Sequence, residues 1–145
     1  SLAINEKEHQ HVASLLQIVS DIERISDYCE NISEYAENLA NQKKKFSGVG
    51  AAEMKEMLEV CSDSFTYAVE AFEENSAEKA LKVIEKERSA DDLEIRLRAD
   101  HMQRLANKQC DTEAGIVFLD ALVGLERISD HSRNIAEEVL SASNK

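Results

Sequence analysis

The sequence has no proline and only four glycines. Both residues punctuate turns, and both weaken a helix from within. A chain of 145 residues with so few of either has few turns, which argues against a many-stranded β fold and for long helices. Cysteine is scarce as well: Cys29, Cys61 and Cys110 are odd in number, far apart and form no CxxC pair. They read as reduced thiols in a cytoplasmic compartment. Long apolar runs are missing. The best of them, GIVFLDALVGL at 115–125, is too short to span a bilayer and contains Asp120. No signal-peptide pattern opens the chain, and Ser rather than Met stands first, as expected of a processed chain or a piece of a longer one. The Gly-x-Ser-x-Gly, P-loop and Cys–His signatures are also absent, which leaves nucleophilic catalysis without support.

What is present is acid. Lys and Arg number 17 against 29 Asp and Glu, a formal charge of −12. Such a surface repels nucleic acid and anionic lipid at long range, and attracts cations and basic partners. No nucleic-acid partner is expected. Hydrophobic residues make up 43% of the chain, enough for one domain with its own core.

Apolar residues recur at helical spacing along most of the chain. Ile18, Ile22, Ile25, Cys29, Ile32, Ala36 and Leu39 alternate steps of four and three, so a helix is predicted from Ile4 to about Gln42. Lys43, Lys44 and Lys45 follow it and suit its negative C-terminal end. FSGVG at 46–50 reads as a loop whose glycines make the turn. A second helix is predicted over 51–74, then a third from the cap Ser76 to about Asn107. Asp111 is the expected N-cap of a fourth, from Thr112 to about Ser141. Helices two to four then form an up-down-up bundle.

The most informative feature is a repeat. IERISDYCENISE at 22–34 returns as LERISDHSRNIAE at 125–137. Between 23–34 and 126–137, eight of twelve positions are identical, and six of these are polar or charged: Glu, Arg, Ser, Asp, Asn and a second Glu. Duplicating a packed helix accounts for the isoleucines alone. At 100° per residue, Glu23, Asp27 and Asn31 form a ladder in steps of about 40°, as do Glu126, Asp130 and Asn134. Both ladders are placed roughly opposite their apolar stripe, facing outward. Acids four apart repel by a few tenths of a kcal/mol unless a cation lies between them. About six such pairs arise by chance in so acidic a chain, so two readings stay open: a hard divalent or trivalent cation on oxygen ligands, or a solvated face. Glu-x-x-His occurs only near the start (Glu6 with His9, Glu8 with His11), which speaks against a ferritin-like di-iron oxidase. His131 stands out among the four histidines because it follows Asp130 directly.

DIERISDYCENISE at 21–34 and GLERISDHSRNIAE at 124–137 resemble the signature helix of the PhoU family, an acid and Asp four apart followed by Asn-Ile-Ala-Glu. Residues 57–105 resemble that family's second unit, and Glu87-Arg-Ser-Ala-Asp91 repeats the acid-xxx-Asp spacing on the third helix. The resemblance implies an all-α, antiparallel bundle of four long helices. Residues 1–45 would be the last helix of an incomplete first unit, and 51–142 a complete three-helix unit. It implies metal ligands at Glu87, Asp91, Glu126 and Asp130, and at Glu23 and Asp27 in the incomplete unit. Asn31, Asn134 and His131 are auxiliary candidates, and the metal's identity stays open. The form LERISDH, with a Cys-Asp loop before the last helix, is most similar to the cytoplasmic tails of bacterial sodium/phosphate cotransporter family proteins. A non-enzymatic regulator of phosphate uptake or signalling is therefore expected. It would sit at the inner face of the membrane, attached to the transporter part of the same protein. A phosphate-signalling protein is a further expected partner, and the unpaired first helix leaves room for a homodimer. The rival reading is a structural interaction module with acidic, solvated, metal-free faces.

Overall fold

The computed structural model describes residues 5–143, which form four helices and no strand. They are α1 (Glu6–Asn41), α2 (Gly48–Glu74), α3 (Ala77–Ala106) and α4 (Thr112–Ser143). The all-α architecture is the one expected. Ile4, the expected first residue of α1, lies outside the described residues.

Each helix starts where a side chain can satisfy its free N–H groups. Asn5 and Glu8 form a reciprocal capping box on α1. Ser47 accepts from the Gly50 N–H, Ser76 from Lys79 and Asp111 from Ala114. The cap at Ser47 corrects the reading of 46–50 as a loop, since Gly48, Val49 and Gly50 already belong to α2. The turns do not use glycine either. Lys43, Asn75 and Lys108 take the left-handed conformation, with φ of 56°, 51° and 55°. The Lys44 N–H closes the end of α1 on the Leu39 carbonyl at 3.1 Å, but its side chain does not stay there. It reaches across to Asp111 and Glu113 at the start of α4.

α4 is the central helix and packs against all three others, whereas α1 packs on α4 alone. The α2–α3–α4 core is closed by small residues that let backbones approach: Ala68, Ala71, Ala80 and Ala90 are fully buried. Met57, Cys61, Val83, Leu97, Phe118 and Leu122 fill the space between them. Gly115 is required for close approach, because a Cβ there would lie 2.6 Å from Leu105 Cδ2. The adjacent carbonyl of Gly115 accepts from the buried His101 Nε2 at 2.9 Å.

α1 runs antiparallel to α4. Ser14 Oγ donates to Glu138 at 2.8 Å near one end, and Ile32 lies against Gly124 towards the other. The packing face of α1 differs from the one expected. Ile18, Ile25 and Leu39 are buried and Ile32 half-buried, but Ile22, Cys29 and Ala36 are exposed. The seam is completed by Asp21, Tyr28 and Tyr35 instead.

Candidate metal centre

Glu87 and Asp91 lie one turn apart on α3, and Glu126 and Asp130 one turn apart on α4. The α3–α4 packing brings these two pairs face to face. One carboxylate oxygen from each of Glu87, Asp91 and Asp130 lies within 4.8 Å of the others. Among the described residues this is the one acidic or thiol–imidazole group so placed. Glu126 is half-buried beside it and close enough to act on the charge of both Asp91 and Asp130. The α4 ladder is therefore not outward, as the helical wheel suggested. α4 is covered on several sides, so the face opposite its apolar stripe meets α3. Glu87 lies within the buried face of α3 and is only 4% exposed.

The electrostatics follow from this crowding. Burial, then a hydrogen bond with Glu87 and repulsion from the neighbouring acids, pushes the Asp91 carboxyl up to about 7. Burial also raises Asp130, with Glu87 adding to it, and raises Glu126, with Asp130 adding to it. All four groups are oxygen donors that a hard cation prefers, and a cation would offset the repulsion among them. The residues present fit such an ion. One cation of the chain is already in contact: Arg133 Nη1 donates to Glu87 Oε2 at 2.7 Å and Nε to Glu137 at 2.9 Å.

The corresponding acids of α1 meet nothing similar. Glu23 and Asp27 are exposed, as is Asn31, and no α3-like helix faces them among the described residues. The two acid pairs thus share their spacing but differ in their surroundings.

Asn134 and His131 turn the other way, onto α1. His131 Nδ1 lies 2.9 Å from Asp21 Oδ1, and Asn134 Nδ2 donates to the same oxygen at 3.2 Å. Gln17 reaches Oδ2 at 3.4 Å, and the Tyr28 ring stacks on His131 with centroids 6.0 Å apart. Asp21 is 1% exposed, a buried carboxylate that locks α1 to α4. The sequence reading missed Asp21 and Arg133 as functional positions. Their signal lay where the repeat breaks: Asp21 faces Gly124 in the alignment of the two motifs, Tyr28 faces His131, and Glu30 faces Arg133.

Comparison with known proteins places the chain in a family. The chain is 29% identical over 138 residues to the phosphate-specific transport system accessory protein PhoU homolog 1 of Thermotoga maritima. The match covers 92% of this chain but only 57% of that relative's length. The crystal structure of PhoU from Pseudomonas aeruginosa superposes with a TM-score of 0.91 at 23% identity, over 99% of this chain and 68% of that one. A family model for the PhoU domain matches residues 2–36 and 54–139, most of the chain, which therefore belongs to the PhoU family.

Proposed function

We propose that this chain is a non-enzymatic regulatory domain of phosphate transport, and that its α3–α4 face holds a metal ion. The observation that carries the metal reading is the convergence of Glu87 and Asp91 on α3 with Asp130 on α4. The regulatory reading rests on membership of the PhoU family and on likeness to an accessory protein of phosphate-specific transport. Glu87, Asp91 and Asp130 would hold the ion, with Glu126 beside them. A bound ion neutralises carboxylates on two helices at once, so it favours the state in which α3 and α4 stay packed. Occupancy then biases the surface offered to a transporter or signalling partner, a shift of population rather than chemistry. The partner in this reading is the membrane part of a sodium/phosphate cotransporter family protein. The domain would then lie in the cytoplasm, at the inner face of the membrane. No described helix is long and apolar enough to cross a membrane itself.

A second reading is a structural module without metal. The ion pair between Arg133 and Glu87 favours it, since it neutralises one buried acid from within the chain. Elemental analysis separates the two. Protein purified without chelator and titrated with Mg, Mn, Fe, Ni and Zn ions is compared with Asp91→Asn/Asp130→Asn. The proposal expects stoichiometric metal in the parent and its loss in the variant. Equal and negligible metal in both would leave only the structural module.

A further inference from the structure

Arg133 joins the acid cluster to the outer surface of α4. Its Nη1 holds Glu87 and its Nε holds Glu137, one turn on. The two carboxylates differ: the Glu87 side chain is 6% exposed and the Glu137 side chain 50%. A buried carboxylate left without a counter-charge is strongly unfavourable, so Glu87 depends on whatever cation stands beside it. An exposed one such as Glu137 is served by water.

The repeat sharpens the point. At the position of Arg133, the α1 motif carries Glu30, which is exposed. The cation occurs only in the motif whose acids meet partners from another helix. Arg127, by contrast, is present in both motifs as Arg24 and Arg127, and is exposed without a side-chain bond to the cluster. It acts on Glu126 and Asp130 only through its charge at a distance.

We propose that Arg133 is a tethered cation that competes with an external metal ion for Glu87. This inference rests on the metal reading of the α3–α4 cluster and adds a regulation to it. Without metal, the guanidinium neutralises Glu87 and keeps α4 against α3. A metal ion that takes the Glu87 carboxylate displaces the guanidinium, which stays on α4 through Glu137. Occupancy of a half-buried site thereby becomes a freed positive charge on the outer face of α4. On a chain of net charge −12, a basic group that appears with ion binding is a signal an acidic partner surface can read.

The test is isothermal titration of the full chain with Mn2+ at physiological ionic strength, comparing the parent with Arg133→Gln and Arg127→Gln. Competition means that removing the tethered cation tightens Mn2+ binding. The expected gain for Arg133→Gln is roughly fivefold, the size of one partly exposed ion pair, with Arg127→Gln close to the parent. Binding by Arg133→Gln that is equal to or weaker than the parent's overturns the competition while leaving the metal site standing. So does an equal gain in Arg127→Gln, because the effect is then general charge and not contact with Glu87. If no form binds Mn2+, the metal reading fails and the competition with it.

Discussion

Asp21→Ala should loosen α1 selectively. The Asp21 carboxylate is 1% exposed and receives His131 Nδ1 at 2.9 Å, Asn134 Nδ2 at 3.2 Å and, more weakly, Gln17 Nε2 at 3.4 Å. Truncation removes all three bonds and leaves the His131 and Asn134 donors facing an apolar methyl. His131 keeps some access to water, with 16% of its side chain exposed, so it recovers part of the loss. A lost bond to a charged group costs about 1.5–3 kcal/mol and a neutral one about 1 kcal/mol, and removing a buried charge returns some desolvation. The balance is about 2–3 kcal/mol, or roughly 4–10 °C in melting temperature for a chain of this size. Because α1 touches α4 alone, the loss should also be local. Amide hydrogen exchange followed by mass spectrometry should show α1 exchanging faster, with α2 and α3 close to the parent. Asp21→Asn, which keeps the shape and one acceptor, should fall between the two. A melting temperature within about 1 °C of the parent, or unchanged protection of α1, would refute the view that this carboxylate holds α1 in place.

Two further outcomes follow from the buried groups. In EDTA, folded Asp91 keeps its proton up to about pH 7 while an unfolded aspartate loses it near 4. The folded state binds more protons in that window, so this contribution is fully present below the unfolded pKa and lost as pH rises through about 7. After solvent screening it is on the order of 1–2 kcal/mol between about pH 5 and pH 8, read from urea midpoints; Asp91→Asn should flatten it, and equal slopes in both proteins would show that Asp91 is not the source. Among the cysteines, the Cys61 thiol is 1% exposed, donates to the Leu125 carbonyl and is pushed up to about 12 by burial, with Glu126 and Asp130 adding to it. A thiol-reactive dye should therefore label exposed Cys29 in the native protein at once and Cys61 only on unfolding.

Much of this structure is legible in the sequence because its rules are local. The heptad spacing gives the helices, Ser76 and Asp111 give two starts, and absent proline leaves the helices uninterrupted. The faces are less legible. α1 carries apolar residues on two sides, so the isoleucine stripe through Ile22 could not be told from the seam through Asp21 and Tyr28. A charged residue on the packing side hid that seam, and only His131 and Asn134, more than a hundred residues on, explain its burial. The acid ladder of α4 was found by spacing but turned outward, because a wheel drawn for one helix assumes one covered side. α4 is enclosed by three neighbours, and its polar face becomes a groove against α3. Glu87 could not be read as buried without Arg133, its partner from α4.

The claim at the centre is that the carboxylates of α3 and α4 share a metal ion that Glu23 and Asp27 cannot hold. The most direct measurement is anomalous diffraction near the manganese edge from crystals grown with Mn2+. A peak among Glu87, Asp91 and Asp130, with none at Glu23 and Asp27, is the predicted result. A map without a peak at the α3–α4 cluster, or with its only peak on α1, would contradict it.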